Sequence, residues 1–324
     1  MLMSSLSLTP QIAAVPAGAA RPLWSVMIPT FNCAGYLATT LRSVLAQDPG
    51  RETMQIEVLD NCSTDDPAAC VKAIGAGRVA FHRHPTNTGM VANFNSCLQR
   101  ARGNLVHILH GDDWVAPEFY RTMAAAAEHN PDVALFACRA FVVDENGEIS
   151  DLSWRYPGLE RPTRDSSPLW YDNAIFTPSV VVRRTFYESH GGFLPALKHA
   201  PDWEMWVRGI GLGGGLMLNR PLAYYRMSAT NDTSTLQRTA GNLRDCLLLG
   251  TMFEHLPGFS APAFRKRIAE RSRFQATFFR LRGDREAYRA NLDLWKSLVP
   301  PWSRVMLLAR ELLRIPREHR HLWK

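Results

Sequence analysis

Two carboxylates stand side by side at Asp112 and Asp113, inside the pentapeptide His110-Gly111-Asp112-Asp113-Trp114 and directly after the apolar run Leu105-Val106-His107-Ile108-Leu109. A hard cation such as Mg²⁺ or Mn²⁺ prefers oxygen ligands, takes one or two protein carboxylates and fills its other positions with water and phosphate oxygens. The pair therefore points to a phosphate-bearing substrate. A surface turn is the alternative, because Asp is a common turn former. Two further polar clusters also follow apolar runs: Thr30-Phe31-Asn32 after Trp24 to Pro29, and Asp60 to Asp66 after Gln55 to Leu59. In open α/β sheets the ligand crevice lies beyond the carboxyl ends of the strands, so all three clusters are expected to face one cleft. Their convergence favours a nucleotide site.

The elements that must position these residues alternate. Residues 24–28 read as a strand stopped by Pro29, and residues 35–47 as an amphipathic helix with Tyr36, Leu37, Leu41, Val44 and Leu45 on one face. Strands at 55–59, 79–82 and 104–109 are interleaved with helices at 67–74 and 90–101. That alternation predicts an α/β fold with a mostly parallel, Rossmann-like sheet flanked by helices. No G-x-G-x-x-G follows the first strand and no G-x-x-x-x-G-K-[ST] occurs, which argues against dinucleotide and P-loop sites. Gly211-Leu-Gly-Gly-Gly215 is expected to end a helix before the strand Leu216 to Leu218.

The chain has 324 residues, 46% apolar and 21% charged, enough for one large domain with an appendage. Its six cysteines lack CxxC or CxxH spacing, which argues against a zinc site or a disulfide framework and fits a reducing cytoplasm. Residues 1–22 contain Pro10 and Pro16 and no basic residue before Arg21, and are expected to form a flexible extension rather than a signal peptide. No apolar stretch approaches the roughly 20 residues of a membrane span, so none is expected. Residues 241–324 carry 17 Lys+Arg against 8 Asp+Glu, a net +9, which leaves −2 for residues 1–240. Arginines mixed with Leu, Trp and Phe at helical spacing suit an anionic membrane surface or a helix packed on its own domain. No clear arrangement of base-stacking aromatics supports a nucleic-acid partner.

The ordered fragments Val26-Met-Ile-Pro-Thr-Phe-Asn32, Val58-Leu-Asp-Asn-Cys-Ser-Thr-Asp65, Asn87-Thr-Gly89 with Asn95 and Ala101-Arg-Gly103, His110 to Trp114, Gly192-Phe193 and Asp202-Trp-Glu-Met-Trp-Val-Arg208 resemble the large inverting glycosyltransferase family of GT-A fold, family 2. The resemblance covers residues 24–232. It implies a GT-A domain over residues 23–235, with a nucleotide-binding half (23–115) and an acceptor half (116–235), followed by a basic amphipathic helical region over 236–324. Position by position, it places Pro29, Thr30 and Phe31 at the nucleotide base, Asp60 as the base-reading carboxylate, and Asn87 in a third loop near the nucleotide. A carboxylate accepts from the N3–H of uracil or thymine, which favours UDP or TDP donors. Asp112 matches the final acid of the family's D-x-D signature and would bind Mg²⁺ or Mn²⁺, with Asp113 supporting it.

Asp202 matches the acid of the family's Glu-Asp motif and is the implied general base, with helix capping as the alternative. Three departures stand out: His110 replaces the first Asp of D-x-D, Pro201 the customary Glu, and Ser228 a frequent His. Trp154, Trp170, Tyr171, Trp203 and Trp206 form either a sugar-stacking platform or core. The resemblance implies a cytoplasmic, metal-dependent inverting glycosyltransferase acting on a glycan or lipid-linked glycan in bacterial surface polysaccharide synthesis, peripheral at the inner face of the plasma membrane. The alternatives are a non-catalytic nucleotide-sugar or glycan-binding protein of the same fold and a nucleotidyltransferase.

Overall fold

The structure, a computed structural model, describes residues 9–228 and 232–301. The chain divides into two compact units: one comprises the chain up to Ala196 together with Pro201–Met227, the other Leu197–Ala200 together with the chain from Ser228 onward.

The first unit opens with three strand–helix repeats: β1 (Trp24–Thr30), α1 (Ala34–Leu45), β2 (Met54–Asp60), α2 (Pro67–Gly75), β3 (Ala80–Arg83), α3 (Met90–Arg100) and then β4 (Leu105–Ile108). All seven residues of β1 are buried, the pattern of a central strand covered on both faces. It pairs in parallel with β2 on one side and β4 on the other. Helix α1 lays Leu37, Thr40, Leu41 and Val44 on the sheet, one helical face of buried positions. Asp66 caps α2 by accepting the Ala69 N–H at 3.0 Å, with Pro67 at the first helical position.

After β4 the chain forms β5 (Trp114–Val115), α4 (Phe119–His129), β6 (Leu135–Val143), β7 (Ile149–Leu152), β8 (Val180–Arg183), α5 (Arg184–His190), α6 (Pro201–Gly213) and β9 (Gly215–Arg226). The strand order is β3-β2-β1-β4-β8-β6-β9-β5, with β7 on β6. The parallel array expected from the sequence occupies β3 to β4. Beyond it the sheet is mixed, because β8 meets β4 antiparallel while β6 and β9 run parallel to each other. Helix α6 runs through Gly211 to Gly213 and β9 spans Gly215–Arg226, so the glycine loop expected over residues 211–215 narrows to Gly214 alone.

Residues 9–13, expected to belong to a flexible extension, are tied down. Ile12 is 3% exposed, the Gly192 N–H donates to Pro10 O at 2.8 Å, and Gln99 and Arg184 donate to the carbonyls of Gln11 and Ala13. A short apolar anchor inside an Ala- and Pro-rich stretch has no periodicity by which to be recognised.

The second unit contains α7 (Asp232–Arg238), α8 (Gly241–Phe253), α9 (Ala261–Leu281) and α10 (Arg285–Leu298). Phe264, Ile268, Ala276 and Phe279 of α9 and Leu294 and Trp295 of α10 are buried, while Arg265, Lys266, Arg280, Arg282, Arg285 and Arg289 are exposed. The expected amphipathic stretch Trp302 to Leu313 lies outside the described residues.

Gly103 is required by a close approach. A Cβ there would stand 2.4 Å from the Trp24 carbonyl carbon and 2.5 Å from Ser25 N, and the Gly103 N–H donates to Ser25 Oγ at 2.7 Å. Backbone cannot give way as a flexible side chain can. Gly103→Ala is therefore expected to destabilise the protein by about 3 kcal/mol, read as a lower urea midpoint. Gly35→Ala, in open space on α1, should leave the midpoint within a few tenths of a molar.

Candidate functional site

The three polar clusters meet at the carboxyl ends of β2, β1 and β4. Thr30 pairs in register with Asp60, the Asn61 N–H donates to Thr30 O at 2.9 Å, and the Gly111 N–H to Pro29 O at 3.1 Å. Backbone bonds thus lace the loops after β2 and β4 onto the end of β1. Pro29 and Thr30 are buried, whereas Phe31 projects with 42% of its surface exposed. Asn32 adopts φ +50°, and its side-chain oxygen accepts the Thr64 N–H at 2.7 Å, locking the first two loops together.

Asp60 is fully buried. Its Oδ1 accepts from the backbone N–H and the hydroxyl of Ser63, and its Oδ2 pairs with Arg83 at 2.5 Å. The helix cap in this loop is Asp66, so Asp60 is not a capping acid. Asn87 is exposed and bridges Asn61 Nδ2 (2.9 Å) and the Gly89 N–H (2.8 Å), shaping the turn into α3.

Asp112 and Asp113 occupy different environments. Thr40 Oγ1 lies 3.0 Å from Gly111 O and 2.7 Å from Asp113 O, holding the turn to α1. A Cβ on Gly111 would press Thr30 Oγ1 and Cys33 Sγ, at 2.7 and 2.9 Å. Strand β5 pairs Trp114 with Tyr224 of β9, which brings Arg226 under the acidic turn. The Arg226 N–H donates to Asp113 Oδ1 at 2.8 Å and its Nε to Asp112 O at 3.1 Å. Its guanidinium also reaches Asp144 O and Glu145 O and lies 4.3 Å from the Tyr36 ring centroid and 4.9 Å from that of Trp114. Asp113 is buried, and Asp112 remains partly open. Arg226 and Arg83 were not among the residues the sequence singled out for this site.

His110 stacks on Phe94 at 5.3 Å, and its Nδ1 lies 3.3 Å from Asp113 Oδ2. One ligand atom each from His110, Asp112 and Asp113 fall within 4.8 Å of one another. His110 Nε2 has no hydrogen-bonding partner among the described residues, and Asp113 Oδ2 has only the 3.3 Å approach of His110 Nδ1. Buried polar atoms left over in a cluster of one imidazole and two carboxylates suit a divalent cation. Burial and the neighbouring Asp113 charge push the Asp112 carboxyl up to about 6, against the smaller opposing effect of His110. Burial opposes the charged form of His110, but hydrogen bonding and charge from Asp113, then the charges of Asp112 and Asp202, outweigh it and raise its pKa.

Asp202 therefore acts on the cluster through its charge. Asp202 is the second residue of α6, is partly exposed, and accepts the Trp203 N–H at 2.8 Å. Trp203 and Trp206 are core, 4% and 1% exposed, with indole N–H groups donating to Leu169 O and Ile175 O. Trp170 and Tyr171 are half-buried, and Trp154 is 50% exposed.

The sequence profile of glycosyl transferase family 2 matches residues 25–190. An uncharacterised protein of Mycobacterium tuberculosis (strain CDC 1551 / Oshkosh) is 30% identical over 249 residues, 71% of this chain and 75% of that one. The poly(ribitol-phosphate) beta-N-acetylglucosaminyltransferase TarS of Staphylococcus aureus (strain MW2) is 31% identical over 185 residues, 55% of this chain and only 31% of TarS. The crystal structure of S. aureus TarS 1-349 in complex with UDP-GlcNAc matches with a TM-score of 0.59 at 20% identity, over 88% of this chain and 83% of that one. The mannosyltransferase PcManGT from Pyrobaculum calidifontis, in complex with GDP-Man and Mn²⁺, matches with a TM-score of 0.54 at 18% identity, over 97% and 86%. At such identities the structural likeness shows the fold, and the fold is the expected GT-A arrangement.

The raised Asp112 fixes the sign of a pH effect. Its folded pKa of about 6 exceeds the ordinary 3.8, so between those values the folded protein keeps a proton that the unfolded chain has released. This group therefore loses stability as pH rises through that window. A cation binds only the deprotonated carboxylate. The gain in melting temperature on adding Mn²⁺ should be small at pH 5, grow as pH rises through 6, and vanish in Asp112→Asn.

Proposed function

Because the chain belongs to glycosyl transferase family 2, we propose that it moves one sugar, with inversion, from a UDP- or TDP-sugar to a hydroxyl of a glycan or lipid-linked glycan acceptor. The cytoplasm and bacterial surface polysaccharide synthesis are its proposed setting. The observation that supports this reading is the His110, Asp112 and Asp113 cluster, connected to α6, the helix that carries Asp202, by the ring contacts from Trp206 through Phe193 and Phe94 to His110. TarS, a poly(ribitol-phosphate) beta-N-acetylglucosaminyltransferase whose crystal structure holds UDP-GlcNAc, supports the substrate class.

Phe31, exposed at the end of β1, offers a ring face on which the base can stack, and Thr30 and Pro29 set the floor beneath it. Asp60 supplies the acceptor for a pyrimidine N3–H. Its carboxylate is covered, so reading a base requires the Arg83 guanidinium, 44% exposed, to swing off Oδ2. Asn87 holds the third loop against Asn61 at the rim. Asp112, with Asp113 and His110 beside it, would hold Mg²⁺ or Mn²⁺, which supplies positive charge for the departing diphosphate. Asp202 takes the proton of the acceptor hydroxyl as its oxygen attacks the anomeric carbon and the bonding pair to the phosphate oxygen leaves with the nucleoside diphosphate. His110 favours the same outcome, since replacing the first D-x-D acid leaves the cluster less anionic where the diphosphate must sit.

Nucleoside diphosphate release from UDP-, TDP- and GDP-sugars, with Mn²⁺ or EDTA, tests the assignment. Asp112→Ala should lower release from the pyrimidine donors by roughly 10²-fold or more, and Asp202→Asn by a similar factor with donor binding retained. Calorimetric binding of a donor that the wild type never turns over, even with candidate acceptors, would instead establish the non-catalytic binding protein.

Membrane attachment is the second part of the proposal. The exposed arginines of α9 and α10 support it, and no described helix is long and apolar enough to cross a bilayer. The protein should float with anionic liposomes at low salt and lose flotation when residues 300–324 are removed; equal flotation of both forms rules out docking through the tail.

A further inference from the structure

Asp245, on α8, has no part in the steps above, yet it is only 9% exposed. Its carboxylate accepts three consecutive backbone N–H groups. Lys198 donates to Oδ1 at 3.0 Å and Oδ2 at 3.1 Å, His199 to Oδ2 at 2.7 Å, and Ala200 to Oδ2 at 2.8 Å. Asp245 and Leu197–Ala200 belong to the same compact unit. Successive N–H groups converging on one anion form the concavity in which loops hold phosphate or sulfate; here a side chain 45 residues downstream of Ala200 supplies the anion.

Such charge-assisted bonds are shorter and roughly twice as strong as neutral ones. A carboxylate this buried is tolerated only when hydrogen-bonded, so the charge and the backbone shape hold each other in place. The segment it grips leads directly to the proposed base. Ala200 is followed by Pro201, whose ring fixes φ and which has no N–H to donate, and then by Asp202 in the first turn of α6. No flexible residue separates the gripped backbone from the base.

The geometry points to Asp245 as a positioning residue: it fixes the backbone of residues 198–200 and, through Pro201, the position from which Asp202 meets the acceptor hydroxyl. The inference rests on Asp202 being the base. Asn at 245 would keep the side-chain size but replace one acceptor oxygen with an NH₂ group facing N–H donors. Asp245→Glu keeps the charge on a longer arm.

The test measures amide hydrogen exchange and Mn²⁺-dependent UDP release from UDP-GlcNAc in the full chain, for wild type, Asp245→Asn, Asp245→Glu and Asp202→Asn. Asp245→Asn should speed exchange at residues 198–200 and 202–206 while β1 and β2 stay protected. It should lower kcat roughly 10-fold or more with KM for the donor nearly unchanged. Asp245→Glu should recover part of both. Unchanged protection at residues 202–206 overturns the proposal whichever donor the enzyme takes, and so does wild-type kcat in Asp245→Asn. Full activity in Asp202→Asn defeats the base assignment itself, a separate failure read in a separate variant. If Asp245→Asn fails to fold, Asp245→Glu decides on the same two readouts.

Discussion

Two carboxylates on consecutive residues must be kept together against their own repulsion, and the bonds from Arg226 to the Asp112-Asp113 turn do this. Two like charges about 4 Å apart repel by roughly 4 kcal/mol at an effective dielectric of 20, several times the net return of one ordinary hydrogen bond. The protein answers with unequal environments. Asp113 receives the Arg226 N–H and faces His110, and is the buried side chain of the two. Asp112 receives no such side-chain support from Arg226, which donates to its carbonyl instead, so burial and Asp113 push its carboxyl up. One acid is structural and the other is available. That division depends on a strand pair only two residues long, Trp114–Val115 against Ala223–Tyr224.

The same economy of short backbone links shapes the rest of the cleft. Each loop at the carboxyl edge is fastened to β1: Leu109 N–H to Met27 O, Gly111 N–H to Pro29 O, Asn61 N–H to Thr30 O. Glycine at 103 lets β1 and the approach to β4 come within backbone contact, and glycine at 111 lets the acidic turn sit on Thr30 and Cys33. A fully buried central strand is the right anchor, because its position is set by packing on both faces and not by the loops it carries.

What the sequence made legible was local. Continuous apolar runs marked β1, β2 and β4, helical spacing marked α1, and the acids at strand ends marked the cleft. What it hid was long-range. Arg226 reaches the acidic turn across 113 residues of chain, Arg83 reaches Asp60 across 23, and the partner of a two-residue strand has no signature of its own. Residues 9–13 read as loose because one buried isoleucine in a Pro-rich stretch carries no period. The tryptophans were ambiguous for a different reason: a ring that stacks on sugar and a ring that fills a core have the same composition, and only the burial of Trp203 and Trp206 separates them from the exposed Trp154.

Packing also fixes where Asp202 stands relative to the acidic turn. Trp206, one turn beyond Asp202 on α6, contacts Phe193 at 6.3 Å between ring centroids; Phe193 contacts Phe94 at 5.3 Å; Phe94 stacks on His110 at 5.3 Å. Polar bonds brace the same path, with Asn95 gripping both backbone groups of Phe193 and Arg208, paired with Glu204, donating to the carbonyls of His190 and Gly192. Aromatic rings in a close-packed interior have few alternative arrangements. A displacement of α6 must therefore disturb either this stack or the ring of His110 itself. Three rings and an imidazole thus form a spacer between the first turn of one helix and the cluster of His110, Asp112 and Asp113. This explains why Gly192-Phe193, which bears no reactive group, accompanies the acidic motifs in the sequence.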